Sequence, residues 1–165
     1  MVIMADTLIV YYSLEGNIDF LARSLAKELD ADLFRLETVK EYPKKGLLKF
    51  FHGGKDAVTG FLPELKASPD LTAYSHVIAG SSVWAGKCSA PMKAFLQTAD
   101  FSGKRVSVFA SSAGGNAKKC IQQIFDAVTE RGGSAGASES FINPARSPES
   151  ALEKIKAFAT RVKTQ

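Results

Sequence analysis

Scarcity frames this sequence: among its 165 residues are two cysteines, two histidines and one tryptophan. Cys88 and Cys120 are too few and too differently placed for a disulfide framework, and both read as reduced thiols. Without a Cys-x-x-Cys or a histidine pair at ligating spacing, no metal site is expected, and His52 and His76 read as structural or exposed. No stretch approaches the ~20 apolar residues of a membrane span. The start, Met-Val-Ile-Met-Ala-Asp, has no basic residue, so the expectation is a cytoplasmic protein without membrane contact. Acidic excess is missing too, since the formal charge is +4. The Lys and Arg residues are nevertheless spread between apolar positions of the expected helices, as on solvated faces, so nucleic acid is not an expected partner.

Several motifs lack their context. Gly132-Gly133-Ser134-Ala135-Gly136 fits Gly-x-Ser-x-Gly, but it follows a helix and no histidine comes after it. Gly80 to Cys88 nearly spells a triphosphate loop, with one residue too many and Cys where Ser or Thr must hold magnesium. A phosphoacceptor carboxylate at the end of the first strand is replaced by Tyr11-Tyr12.

What is present is alternation of period. Thr7 to Tyr11 is a short β-branched and aromatic run of the kind buried on both faces. Ile18, Leu21, Ala22, Leu25 and Leu29 then recur at helical spacing up to Asp30, and Asp32 to Glu37 alternates as an edge strand does. Tyr42-Pro43 closes that strand. A short helix is expected over 46–52, interrupted at Gly53-Gly54, and Pro63 and Pro69 keep the remainder irregular. This Lys- and Phe-rich stretch reads as a helix with a wet outer face or as a cap beside a ligand. Ser75–Gly80, Arg105–Ala110 and Ser134–Ile142 supply further strands. Helices follow Pro91 (Met92, Phe95, Leu96 inward), carry Ile121, Ile124, Phe125 and Val128, and close the chain from Ser147-Pro148-Glu149 with Leu152, Ile155, Phe158, Ala159 and Val162. Five strands alternating with helices imply a single α/β domain over 1–165, a parallel sheet covered on both faces. In such sheets ligands bind at the carboxyl ends of the strands, where the loops starting at Tyr12, Ser81 and Ser111 should gather.

The first of these loops leaves the opening amides of a helix aimed at one spot, suited to a phosphate; equally, it is an ordinary strand-to-helix turn with Asn17 as cap. Ser13-Leu14-Glu15-Gly16-Asn17-Ile18 resembles the flavodoxin phosphate loop, Ser/Thr-x-Thr-Gly-Asn-Thr, with Glu15 and Ile18 at two hydroxyl positions. Gly80 to Lys87, followed by Ala90-Pro91, resembles the second cofactor loop of that family. The resemblance implies that Trp84 stacks on the isoalloxazine while Ser82, Val83, Ala85 and Gly86 line its edge. Ser111 to Asn116 is similar to the third loop, with Ser111, Ala113, Gly114 and Gly115 near the pyrimidine end of the ring. The implied fold is a flavodoxin-like three-layer sandwich of short-chain type, with strand order 2-1-3-4-5, and the implied cofactor is FMN.

Three functions follow as expectations. The leading one is an electron-transfer protein serving redox partner proteins or a small-molecule acceptor, as monomer or homodimer. An NAD(P)H-dependent FMN or quinone reductase on the same fold is the enzyme alternative, and a domain without flavin is the third. The basic charge departs from the acidic character of electron-shuttle flavodoxins. Cys88 falls close to the expected flavin edge, without a partner cysteine nearby in sequence.

Overall fold

A computed structural model of the 165-residue chain describes residues 6–43, 55 and 59–164. The helix expected over 46–52 and its Gly53-Gly54 interruption lie outside these residues. The elements run β1 (Thr7–Tyr11), α1 (Asn17–Leu29), β2 (Asp32–Arg35), β3 (His76–Trp84), β4 (Lys87–Cys88), α2 (Ala90–Thr98), β5 (Arg105–Ser112), α3 (Lys118–Glu130), β6 (Ser134–Ile142) and α4 (Pro148–Lys163), with a 3-10 turn at Pro144–Arg146. The parallel strands lie in the order β2-β1-β3-β5-β6, which is the expected 2-1-3-4-5 order once the two-residue β4 is set aside. That extra strand pairs antiparallel with the end of β3.

Alternation within the strands builds a core on each face. Leu8, Val10, Val77, Ala79, Val106, Val108 and Ala110 pack with α2 and α3 on one side. Ile9, Tyr11, Ile78 and Phe109 pack with α1 and α4 on the other. One glycine is fixed by this packing: a Cβ on Gly80 would meet the Phe109 ring at 2.3 Å. Edge strand β2 is largely exposed, as its charge alternation implies. Among the described residues, no helix is long and apolar enough to cross a membrane.

Several boundaries differ from expectation. Strand β3 does not stop at Gly80 but runs to Trp84, because pairing with β5 continues through Ser82↔Ser111 and β4 takes over beyond it. Strand β5 likewise reaches Ser112. β2 ends at Arg35, and the chain continues extended to Thr38, which bridges Leu65. Asn17 is the first helical residue rather than the cap, a place held by Gly16. In α3 the buried stripe is Cys120, Ile124 and Val128, leaving Ile121 and Phe125 half-buried. In α4 Ala151 is buried where Leu152 was expected, and Leu152 faces outward. Ser147 stands at the N-cap of α4 without a side-chain hydrogen bond.

At the amino ends of the strands lies a buried polar pair. Arg105 Nη2 donates to His76 Nδ1 (3.3 Å), which places the ring proton on Nε2, 2.8 Å from Ser107 Oγ. Burial, helped by the Arg105 charge, pushes the His76 pKa down to about 4. The neutral ring is therefore favoured by the fold, and the stability it contributes is complete above the unfolded pKa of ~6.5 and is lost as pH falls towards about 4. Urea unfolding between pH 7 and 4 should show the wild type losing about 2 kcal/mol more than His76→Gln, a figure discounted for partial solvent contact. Parallel pH profiles for the two proteins would refute this.

Candidate functional site at the carboxyl edge

Three segments meet where the parallel strands end. Tyr11 lies opposite Gly80, and Ser82 lies opposite Ser111. The segments following β1 and β5 therefore flank the projecting end of β3. Past Tyr11 the chain turns at Gly16, whose φ of 101° only glycine adopts without strain. Its N–H donates to Ser13 Oγ at 3.1 Å, closing the turn. The first intrahelical bond of α1 is Phe20 N–H to Gly16 O (3.0 Å), so the amides of Asn17, Ile18 and Asp19 precede it. Ile18 is fully buried. Leu14 and Asn17 are half-buried, and Glu15 and Gly16 exposed.

Behind this loop stands a charge cluster that sequence reasoning missed. Asp19, in the first turn of α1, accepts from the Tyr11 hydroxyl at 2.5 Å and pairs with Arg23 at 2.9 Å and Arg35 at 3.4 Å. Arg35 also donates to the Ser13 carbonyl at 2.9 Å, tying β2 to the loop. Although burial works against ionisation, the Tyr11 hydroxyl and Arg23 hold the Asp19 carboxyl below its ordinary range. The carboxylate is thus engaged by two cations and is a weaker opponent of an anion at the helix start. The only sequence hints were an acid in a first turn and a charge at a strand end.

The second segment is a hairpin. Val83 pairs with Cys88 and Trp84 with Lys87 across the turn Ala85-Gly86, both at positive φ (50° and 79°). This turn holds Trp84 half-buried against two tyrosines. Its ring lies 5.0 Å from Tyr42 and 5.9 Å from Tyr12, edge to face in both cases, and the tyrosines are 6.3 Å apart. Tyr42 therefore does not close a strand. It is a buried member of this aromatic trio, as is Tyr12, whose hydroxyl is pushed up to about 12 by burial and is neutral. A cleft of about 250 Å³ opens beside them, lined by Tyr12, Ser13, Leu14, Arg35, Tyr42 and Lys66 among others.

The third segment leaves β5 after Ser112. Ser111 is a buried strand residue, while Ala113, Gly114, Gly115 and Asn116 are exposed, and Ser112 Oγ accepts from the Gly115 N–H at 2.8 Å. The structure thus gathers the predicted loop residues at one edge. A larger cleft, about 410 Å³, lies by the amino ends of β3 and β5 and includes none of them.

A glycine turn at a helix start, a Trp-bearing hairpin and a Ser/Gly turn at the carboxyl edge of a 2-1-3-4-5 sheet suit a flavin mononucleotide. The family model described as Flavodoxin matches residues 6–137. The chain belongs to the flavodoxin family. Solved structures agree on the fold of this flavodoxin. A candidate flavoprotein from Bacteroides uniformis is 21% identical with a TM-score of 0.74, covering 92% of this chain and 98% of its own. A flavoprotein in complex with FMN from Lactobacillus acidophilus is 21% identical (TM-score 0.69; 88% and 98% covered). Flavodoxin 2 from Bacillus cereus is 23% identical (TM-score 0.66; 97% and 99% covered).

Proposed function

We propose that this flavodoxin binds FMN at the carboxyl edge and serves as an electron-transfer protein. The observation that carries this reading is the convergence of the Gly16 turn, the Trp84 hairpin and the Ser112–Gly115 turn on one side of the sheet. The residues fit the group. A Cβ built on Gly16, Gly86 or Gly114 meets nothing within 4 Å, so each turn leaves open space in front of its backbone. The start of α1, with Ser13 closing the turn, would hold the phosphate by backbone donors, in place of the hydroxyls lost to Glu15 and Ile18. Trp84, on a rigid hairpin, would cover the ring, and the Ser112–Gly115 turn would meet its polar edge through backbone groups.

Bound FMN supplies one-electron chemistry, and the chain binds it, orients it and sets the local field. An ultraviolet-visible spectrum of the purified protein tests the reading. Flavin bands, or their appearance on adding FMN, are expected, and a colourless protein that ignores FMN overturns it. Rapid NADPH oxidation with a quinone acceptor would favour a reductase over a shuttle.

Lys87, directly across the hairpin from Trp84, places a cation near the ring. Positive charge favours the reduced, anionic cofactor. Lys87→Glu should lower the reduction potential of bound FMN by tens of mV at low salt, less at high salt. A spectroelectrochemical titration showing no shift, or the opposite one, would defeat this.

A further inference from the structure

The fold brings the chain's two cysteines, far apart in sequence, to one buried spot. Cys88 closes the Trp84 hairpin opposite Val83, and Cys120 lies in the first turn of α3. Both are fully buried in the same apolar cluster, and neither is bridged. The Cys88 N–H donates to Gln123 Oε1 at 3.0 Å, so hairpin and helix are already held together one turn beyond Cys120. The two thiols lie near enough to perturb each other's ionisation, and the pair is asymmetric. Cys120, with Lys93 and Lys87 nearby, outweighs burial and brings the Cys88 thiol down. Cys88 and burial push the Cys120 thiol well up. Cys88 also directly precedes Ser89, the N-cap of α2, where the positive end of a helix favours a thiolate. Cys88 is thus the more readily ionised of the two.

We propose that Cys88 and Cys120 form a redox-convertible dithiol, closing to a disulfide that staples the Trp84 hairpin to α3. The oxidant class is a small peroxide, whose near-water size suits a buried pair. The Cys88 thiolate attacks one peroxide oxygen, the O–O bond breaks, and hydroxide leaves to take up a proton as water. Cys88 then carries S–OH. The Cys120 sulfur attacks the Cys88 sulfur, the S–O bond breaks, and hydroxide leaves with the Cys120 thiol proton as a second water. Two thiols and one hydrogen peroxide give one disulfide and two waters, the sulfurs losing two electrons and the peroxide gaining them. The product fixes the segment that presents Trp84. This chemistry is independent of the flavin reading, because neither sulfur needs the cofactor to react.

The test uses the full chain free of flavin. Reduced protein is treated with hydrogen peroxide, quenched, unfolded in an alkylating agent and weighed intact. The expected product is lighter by two hydrogens, takes up no alkyl group where the reduced protein takes two, and is restored by a thiol reductant. Non-reducing peptide mapping should join the segments holding Cys88 and Cys120. Cys88→Ser and Cys120→Ser should each abolish this product, and Cys120→Ser should accumulate a dimedone-trappable sulfenic acid at Cys88. Two alkyl groups on the wild type after exhaustive treatment, a disulfide between chains, or sulfinic acid in place of the bridge would each overturn the proposal. The wild-type mass decides even if a variant fails to fold.

Discussion

Gly16→Val is expected to abolish FMN binding while the chain still folds. At φ 101° a β-branched residue is strained, which costs the fold about 1–2 kcal/mol. The Cβ meets nothing within 4 Å, so no core atom must move. That open space is where the phosphate would face the start of α1. Losing two or three charge-assisted hydrogen bonds at ~1.5–3 kcal/mol each weakens binding a hundredfold or more. Riboflavin, without a phosphate, should bind wild type and variant about equally, and far more weakly than FMN binds the wild type. Fluorescence titration with both flavins decides the matter. Wild-type affinity for FMN in the variant, or equal affinities of the two flavins for the wild type, would show that the first loop holds no phosphate.

Trp84→Ala should lower both stability and affinity. The ring makes two edge-to-face contacts, with Tyr42 and Tyr12, each worth about 0.5–1.5 kcal/mol beyond the area it buries. Removing it should cost the fold about 1–3 kcal/mol. Stacking on a flavin would add roughly 1–3 kcal/mol to the binding loss, an increase in Kd of about 5- to 150-fold. Trp84→Phe retains a flat face and should recover most of both. Thermal melts and FMN titrations of the two variants separate the effects. Unchanged affinity in Trp84→Ala would remove Trp84 from the flavin site, whatever the melt shows.

The parallel strands and all four described helices were legible because their signals are periodic, while the sheet order followed from the resemblance to flavodoxins. Strand β6 matches its expected span from Ser134 to Ile142, and the alternating burial of Leu8, Ile9 and Val10 follows from a run apolar on both faces. What escaped the sequence depends on partners remote along the chain. Whether Ser81 to Trp84 form loop or strand is settled by β5 and by the two residues of β4, not by their own composition. Tyr42 looks like a strand end beside Pro43, and only the arrival of Trp84 from the third strand makes it part of the site. The Asp19–Arg35 pair joins a helix to an edge strand, and the Cys88–Gln123 hydrogen bond joins a hairpin to a helix. Neither leaves a pattern at any fixed spacing.

Strand β3 outruns its neighbour. β1 stops at Tyr11, opposite Gly80, yet β3 continues for four residues, paired by β5 as far as Ser82 and by β4 at Val83 and Trp84. A cofactor bound at this edge, as proposed, would lie beside a strand end that β1 does not pair. Occupancy and local order then become one quantity, and slowed hydrogen exchange from Ser82 to Trp84 would register the cofactor's arrival independently of its colour.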